Sequence, residues 1–169
     1  MENLTYGRIC VNYCPEKSDP YRILLTLGGK LINFPGDCGT PTANMLTVKL
    51  LLYSTISTKG AKFMTIDISN FYLNTPMERP EYMRLKISDM PNNIIEQYKL
   101  NEKVNPNGYV YIKIQKAMYG IPQSVSIAQQ LLEKQLNAKR YYQSKITPGF
   151  WTHKWRPISF ALCTDDFGV

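Results

Sequence analysis

Three features of the 169-residue chain predict a mixed α+β fold. Segments with helical and strand periodicity follow one another without the regular strand–helix–strand alternation of a parallel sheet. A composition of 44% hydrophobic and 20% charged residues, with twelve tyrosines, six phenylalanines and two tryptophans, supplies a core. It excludes disordered, collagen-like, mucin-like and coiled-coil chains. At about 150 residues per domain, the length allows one domain or one piece of a larger one, and no internal repeat points to a solenoid.

The elements follow in order. Residues 7–13 and 21–27 are β-branched and aromatic runs separated by Pro15-Glu16-Lys17-Ser18-Asp19-Pro20, a turn-forming cluster, and so form a hairpin with a long loop. Gly28-Gly29 ends it, and Pro35-Gly36-Asp37 marks a further turn. Met45, Val48, Leu52 and Ile56 recur at helical spacing, which predicts a helix over 42–57. Gly60 stops it, and 62–66 reads as a strand. Strands are expected over 82–87 and 109–114, with a short helix at 91–98 that has proline near its first turn and a polar loop over 101–108. A helix follows Pro122, from about 124 to 139, with Ile127, Leu131 and Leu132 on its inner side. Two late strands, near 150–153 and 158–163, deliver Asp165-Asp166 at the tip of the second. Phe167-Gly168-Val169 then starts a return strand where the sequence stops. The expected consequence is a truncated sheet with an unpaired edge.

The formal charge of +7 favours an anionic partner. No run approaches the roughly 18 apolar residues of a membrane span, and Met1-Glu2-Asn3 does not open a signal peptide. No membrane partner is expected, and the chain is placed inside the cell, in cytoplasm or nucleus, rather than secreted. Cys10, Cys14, Cys38 and Cys163 therefore read as thiols rather than disulfides. Cys10 and Cys14 have the spacing of half a zinc site, but a second pair is missing and the single histidine stands far downstream at 153.

Asp67 ends the apolar run Phe63-Met64-Thr65-Ile66, and Asp165-Asp166 end another. Carboxylates at neighbouring strand ends hold two hard cations about 4 Å apart, the arrangement used for phosphoryl transfer. There one ion activates the attacking hydroxyl and the other neutralises charge on the triphosphate and its leaving group. On spacing alone the same residues read as a strand terminator and a turn pair.

The flanking residues add a resemblance. Asp67-Ile68-Ser69-Asn70-Phe71-Tyr72-Leu73, followed by Glu81-Tyr82-Met83, resembles the first catalytic motif of reverse transcriptases, those of copia-type retrotransposons above all. Lys116-Ala117-Met118-Tyr119-Gly120-Ile121-Pro122-Gln123 is similar to their Tyr-Gly-Leu-x-Gln segment, and Cys163-Thr164-Asp165-Asp166 stands where they carry aromatic-x-Asp-Asp. The three motifs occur in the family's order and cover roughly residues 60–169; Gly7–Gly36 is similar to the fingers part.

The resemblance implies the fingers and palm of a right-hand polymerase, an antiparallel sheet packed on helices and truncated in the palm. The whole chain would be one partial reverse transcriptase domain. Fingers would span about 1–42 and 75–120, palm about 43–74 and 121–169, with thumb and RNase H regions absent. It implies an RNA-directed DNA polymerase that extends a primer on an RNA or DNA template with deoxynucleoside triphosphates. Two Mg²⁺ ions, or Mn²⁺ in their place, would be held by Asp67, Asp165, Asp166 and the Ile68 carbonyl. Asp67, Asp165 and Asp166 would be catalytic. Ile68, Tyr72, Gln123 and Arg22 would contact the nucleotide, with Tyr72 placed to exclude a ribose 2′-hydroxyl. By residue type alone, Tyr72 is a core tyrosine, Gln123 a helix N-terminal polar residue and Arg22 a solvated strand arginine.

Three positions depart from the family pattern: Cys163 for an aromatic, Ser124-Val125-Ser126 where small residues are common, and Leu24 where a second basic residue often stands. Two other classes stay open. One is a catalytically inactive nucleic-acid-binding remnant of a transposable element. The other is a nucleotidyl cyclase or another palm-fold polymerase, which shares the carboxylates but is not expected to carry Tyr-Gly-Ile-Pro-Gln.

From 134 to 164 the chain has Lys134, Lys139, Arg140, Lys145, Lys154, Arg156 and His153 but no acid, interleaved with Tyr141, Tyr142, Phe150, Trp151 and Trp155. Phosphate attraction beside aromatic platforms is the pattern of a nucleic-acid surface; the alternative is a solvated basic face over an aromatic core. His153 is expected at the surface of a strand.

Overall fold

A computed structural model describes residues 4–16, 20–164 and 166–168. In chain order the elements are β1 (Leu4–Tyr13), β2 (Tyr21–Leu27), α1 (Met45–Ser57), β3 (Thr65–Asp67), β4 (Pro76–Lys86), α2 (Asn92–Gln97), β5 (Tyr109–Lys116), α3 (Ser124–Ala138), β6 (Tyr141–Gln143), β7 (Phe150–His153), β8 (Ser159–Cys163) and β9 (Asp166–Gly168). The fold is α+β. The chain divides into two compact units, each built from two separate stretches: Met1–Gly36 with Tyr72–Ser124, and Asp37–Phe71 with Val125–Val169. Among the described residues no helix is long and apolar enough to cross a membrane, and no disulfide joins the four cysteines.

The first unit holds a four-stranded sheet in the order β2-β1-β4-β5. β1 and β2 form the expected hairpin, in register from Gly7↔Leu27 to Tyr13↔Tyr21. The two end tyrosines pack at 5.3 Å. β1 pairs with β4 in parallel only over Leu4–Tyr6, so the outer hairpin projects beyond the sheet. β4 and β5 pair antiparallel, with an irregularity between Pro76 and Glu81. β4 begins six residues before the predicted strand because those residues reach back past this irregularity to the end of β5. Leu27, Ile32, Met83, Leu85, Ile114, Met118 and Ile121 make the core. The expected loop 101–108 opens on a 3₁₀ turn at Leu100–Glu102 whose Leu100 is buried.

Gly120 positions the segment between β5 and α3. Its φ of 92° lies in the left-handed region, and a Cβ there would collide with the Leu27 carbonyl. This close approach lets the Leu27 amide donate to the Tyr119 carbonyl at 2.8 Å. Ser124 closes the same segment: its Oγ donates to the Met118 carbonyl at 2.8 Å and accepts from the Met118 amide at 3.2 Å.

The second unit holds a five-stranded sheet in the order β3-β9-β8-β7-β6, antiparallel throughout. Its core is Trp151, Phe160, Ala161 and Leu162, with the Trp151 and Phe160 rings stacked. α1 packs on β8.

Two expectations for this unit are corrected, and two features are added. The return strand is present: β9 pairs with β8 on one side and β3 on the other, so the feared unpaired edge at β8 is filled by a strand of three residues. β3 covers Thr65–Asp67 rather than 62–66, because β9 offers only three partners. Residues 141–143, to which the sequence reading assigns no element, form β6 against β7. α1 buries Thr47, with Val48, Leu51 and Thr55 half-buried, while Met45, Leu52 and Ile56 are exposed. Lys49 is its one charged residue and apolar side chains stand on several sides of the helix, so periodicity does not choose a face. Thr47 can be buried because Asn44 Oδ1 accepts from both its amide (2.8 Å) and its hydroxyl (3.0 Å).

Candidate functional site

In the second unit, the β3–β9 register sets Asp67 directly opposite Asp166, with Ile66 opposite Phe167 and Thr65 opposite Gly168. Cys163 at the end of β8 pairs with Asp166 from the other side. β9 thus carries the end of β3 to the end of β8, and residues far apart in sequence become neighbours. The reversal from β8 to β9 passes through Thr164, whose φ of 64° is left-handed and marks a sharp turn. Asp165 lies outside the described residues, as do the side chains of Asp166 and Arg22.

Asp67 is exposed and Ile68 half-buried, at the point where β3 gives way to a turn. Beside them a cleft of about 370 Å³ opens, walled by Val48, Phe63, Ile66, Ala161 and Phe167, with Asp67 as its charged group among the described residues. Cys163 also borders it, but the thiol donates to the Ala43 carbonyl at 3.4 Å. Among the described residues no group of three or more His, Cys, Asp or Glu side chains is placed to hold a metal ion.

In the first unit, the half-buried Tyr72 meets Tyr119 edge-on, ring centroids 5.0 Å apart at 86°. The aromatic after the first carboxylate motif is thus brought against the tyrosine of the Tyr-Gly-Ile-Pro-Gln segment. Gln123 is 2% exposed, and its Nε2 donates to Oε1 of Glu81, itself 1% exposed, at 3.1 Å. The Arg79 Nε stands 4.0 Å from the same oxygen. Gln123 Oε1 is buried with no hydrogen-bond partner among the described residues. Arg22 sits on β2 opposite Asn12 of β1.

Glu81 was given no role from the sequence, although it stands in the quoted Glu81-Tyr82-Met83. A glutamate in an otherwise alternating strand was the available signal, since its side chain falls on the inward face with Met83 and Leu85.

The basic and aromatic stretch resolves into two populations. Trp151 is core, and Tyr141 and Phe150 are half-buried, whereas Tyr142 and Trp155 are exposed. His153 is corrected: it is 9% exposed, enclosed between the rings of Tyr141 and Trp155, because its Nδ1 accepts from the Trp155 amide (3.3 Å) and the Arg156 amide (3.1 Å). Comparison of the chain with protein-family models, with curated proteins and with solved structures gives no match.

Proposed function

We propose that the chain is the fingers and palm portion of a copia-like retrotransposon reverse transcriptase, an RNA-directed DNA polymerase that extends a primer on an RNA or DNA template. The observation that carries this reading is the register that sets Asp67 opposite Asp166, because it joins the ends of the two strands whose flanking residues resemble the family's carboxylate motifs. The meeting of Tyr72 with Tyr119 supports it, as a link between the first motif and the Tyr-Gly-Ile-Pro-Gln segment.

In this reading the primer 3′-hydroxyl attacks the α-phosphorus of the incoming deoxynucleoside triphosphate, a phosphodiester bond forms and pyrophosphate leaves. Asp67, Asp165, Asp166 and the Ile68 carbonyl would hold two Mg²⁺ ions, which supply Lewis acidity at the reacting phosphate. Tyr72 places a ring where an additional 2′-oxygen is refused. By the resemblance, Gln123 and Arg22 would contact the nucleotide.

The test is primer extension on poly(rA)–oligo(dT) with Mg²⁺, comparing the chain with Asp67→Asn. Extension by the parent and its loss in the variant is the expected result. Retained primer–template binding with no extension by either protein would replace the enzyme with a non-catalytic nucleic-acid-binding remnant.

A further inference from the structure

β8 runs from Ser159 to Cys163 and ends beside the Asp67–Asp166 pair. At its other end, about 13 Å of strand away at roughly 3.3 Å per residue, the turn between β7 and β8 carries Lys154, Trp155 and Arg156. We propose that this turn is a contact site for single-stranded nucleic acid, separate from the carboxylates. The Trp155 indole stacks on an unpaired base while Arg140, Lys154 and Arg156 hold the neighbouring phosphates.

Four observations carry the assignment. The first is exposure: Trp155 is 63% exposed, whereas Trp151, the other tryptophan, is 1% exposed and belongs to the core. An indole gains little by standing in water unless something covers it.

The second is rigidity. The two amides that His153 Nδ1 accepts belong to Trp155 and Arg156, and the imidazole meets the indole edge-on at 5.2 Å and 85°. The Lys154 amide donates to the Arg140 carbonyl at 2.9 Å, tying this turn to the one between α3 and β6. The platform is ordered before any partner arrives, which lowers the entropy lost on binding.

The third is charge. The Arg140 guanidinium carbon lies 6.0 Å and the Lys154 Nζ 5.9 Å from the Trp155 ring centroid. No Asp or Glu occurs between 134 and 164 to neutralise them locally. The fourth is Arg140 itself, at φ 67°, a left-handed position that glycine or asparagine would occupy at lower cost.

An exposed ring with cations at its rim fits a partner that offers a π face and anionic groups together. A single strand does so; in a duplex the base faces are already stacked.

The proposal is tested on the full chain by titration with oligo(dT), following tryptophan fluorescence and anisotropy of a labelled oligonucleotide at several salt concentrations. Binding with quenching is expected, the buried Trp151 giving an unquenched background. Trp155→Ala should abolish the quench and weaken binding about fivefold to a hundredfold, while Trp155→Phe keeps most of the affinity. Arg140→Gln with Lys154→Gln should flatten the slope of log K against log salt by about 0.7 per charge removed. Lys59→Gln, an exposed lysine in the turn after α1, should leave both unchanged.

Matching unfolding midpoints establish that these surface variants fold. Oligo(dT) binding that is equally tight in parent and Trp155→Ala overturns the proposal, as does quenching by duplex alone or no binding by the parent at low salt. Quenching by a parent chain that extends no primer supports the proposal while removing the polymerase reading.

Discussion

Gln123 and Glu81, forty-two positions apart, share a hydrogen bond of 3.1 Å in the interior of the first unit. It joins the segment after β5 to β4 within that unit. Because both side chains are buried, removing one partner strands the other without water. Glu81→Leu is expected to lower unfolding stability by about 2–4 kcal/mol, and Gln123→Leu by a similar amount. Glu81→Gln keeps the shape and an acceptor, so its cost should be under about 1.5 kcal/mol. Urea denaturation of the three variants checks the ordering; equal losses for Glu81→Gln and Glu81→Leu would show that charge, not the hydrogen bond, is what the site needs.

Two glycines with similar backbones should respond differently to alanine. Gly120 (φ 92°) lies against the Leu27 backbone, whereas Gly108 (φ 77°) has open space where its Cβ would go. Gly120→Ala therefore combines left-handed strain with a steric clash against an immobile carbonyl, expected to cost about 2–5 kcal/mol. Gly108→Ala bears the strain alone, about 1–2 kcal/mol. Thermal unfolding of the pair separates the two contributions, and a smaller loss at position 120 than at 108 would refute the clash.

How much of this was legible in the sequence follows from how local each cause is. The β1–β2 hairpin and α3 were legible because a turn cluster and a proline act on their own neighbours. The inner face of α1 was not, because Leu46, Leu50, Leu52 and Tyr53 make apolar stripes on several sides and only the Asn44–Thr47 cap and the packing on β8 choose among them. The neighbours of Asp67 carry the resemblance, but its place opposite Asp166 depends on the pairing of two three-residue strands that no local periodicity can announce. Glu81 and His153 were missed as interior residues for one reason. A buried polar group is recognised by its partner, and here those partners are a distant glutamine and two backbone amides.

Asp67 offers a separation of activity from stability. Its carboxylate is exposed at the end of a short strand, so Asp67→Asn should change unfolding free energy by no more than about 0.5 kcal/mol. In the polymerase reading the same change removes a metal-binding charge and should reduce primer extension by at least about a hundredfold. Calorimetry and extension assays on one preparation check both. A variant that loses stability and extension together would mean that Asp67 serves the fold instead.

His153 decides whether the β7–β8 turn holds its shape. The imidazole is the acceptor for two consecutive turn amides and contacts Tyr141 and Trp155 with its ring. His153→Phe keeps an aromatic ring of similar size but takes away the acceptor. The ring packing against Tyr141 should then survive while the Trp155 and Arg156 amides lose their partner, at a cost of about 1–3 kcal/mol. Hydrogen exchange distinguishes this from a general loss of packing. The amides of Trp155 and Arg156 should exchange faster in the variant, while the Leu162 amide, bonded to the Gly149 carbonyl at 2.8 Å within the same sheet, keeps its protection. Uniform loss of protection would show that the ring, not Nδ1, is what holds the turn.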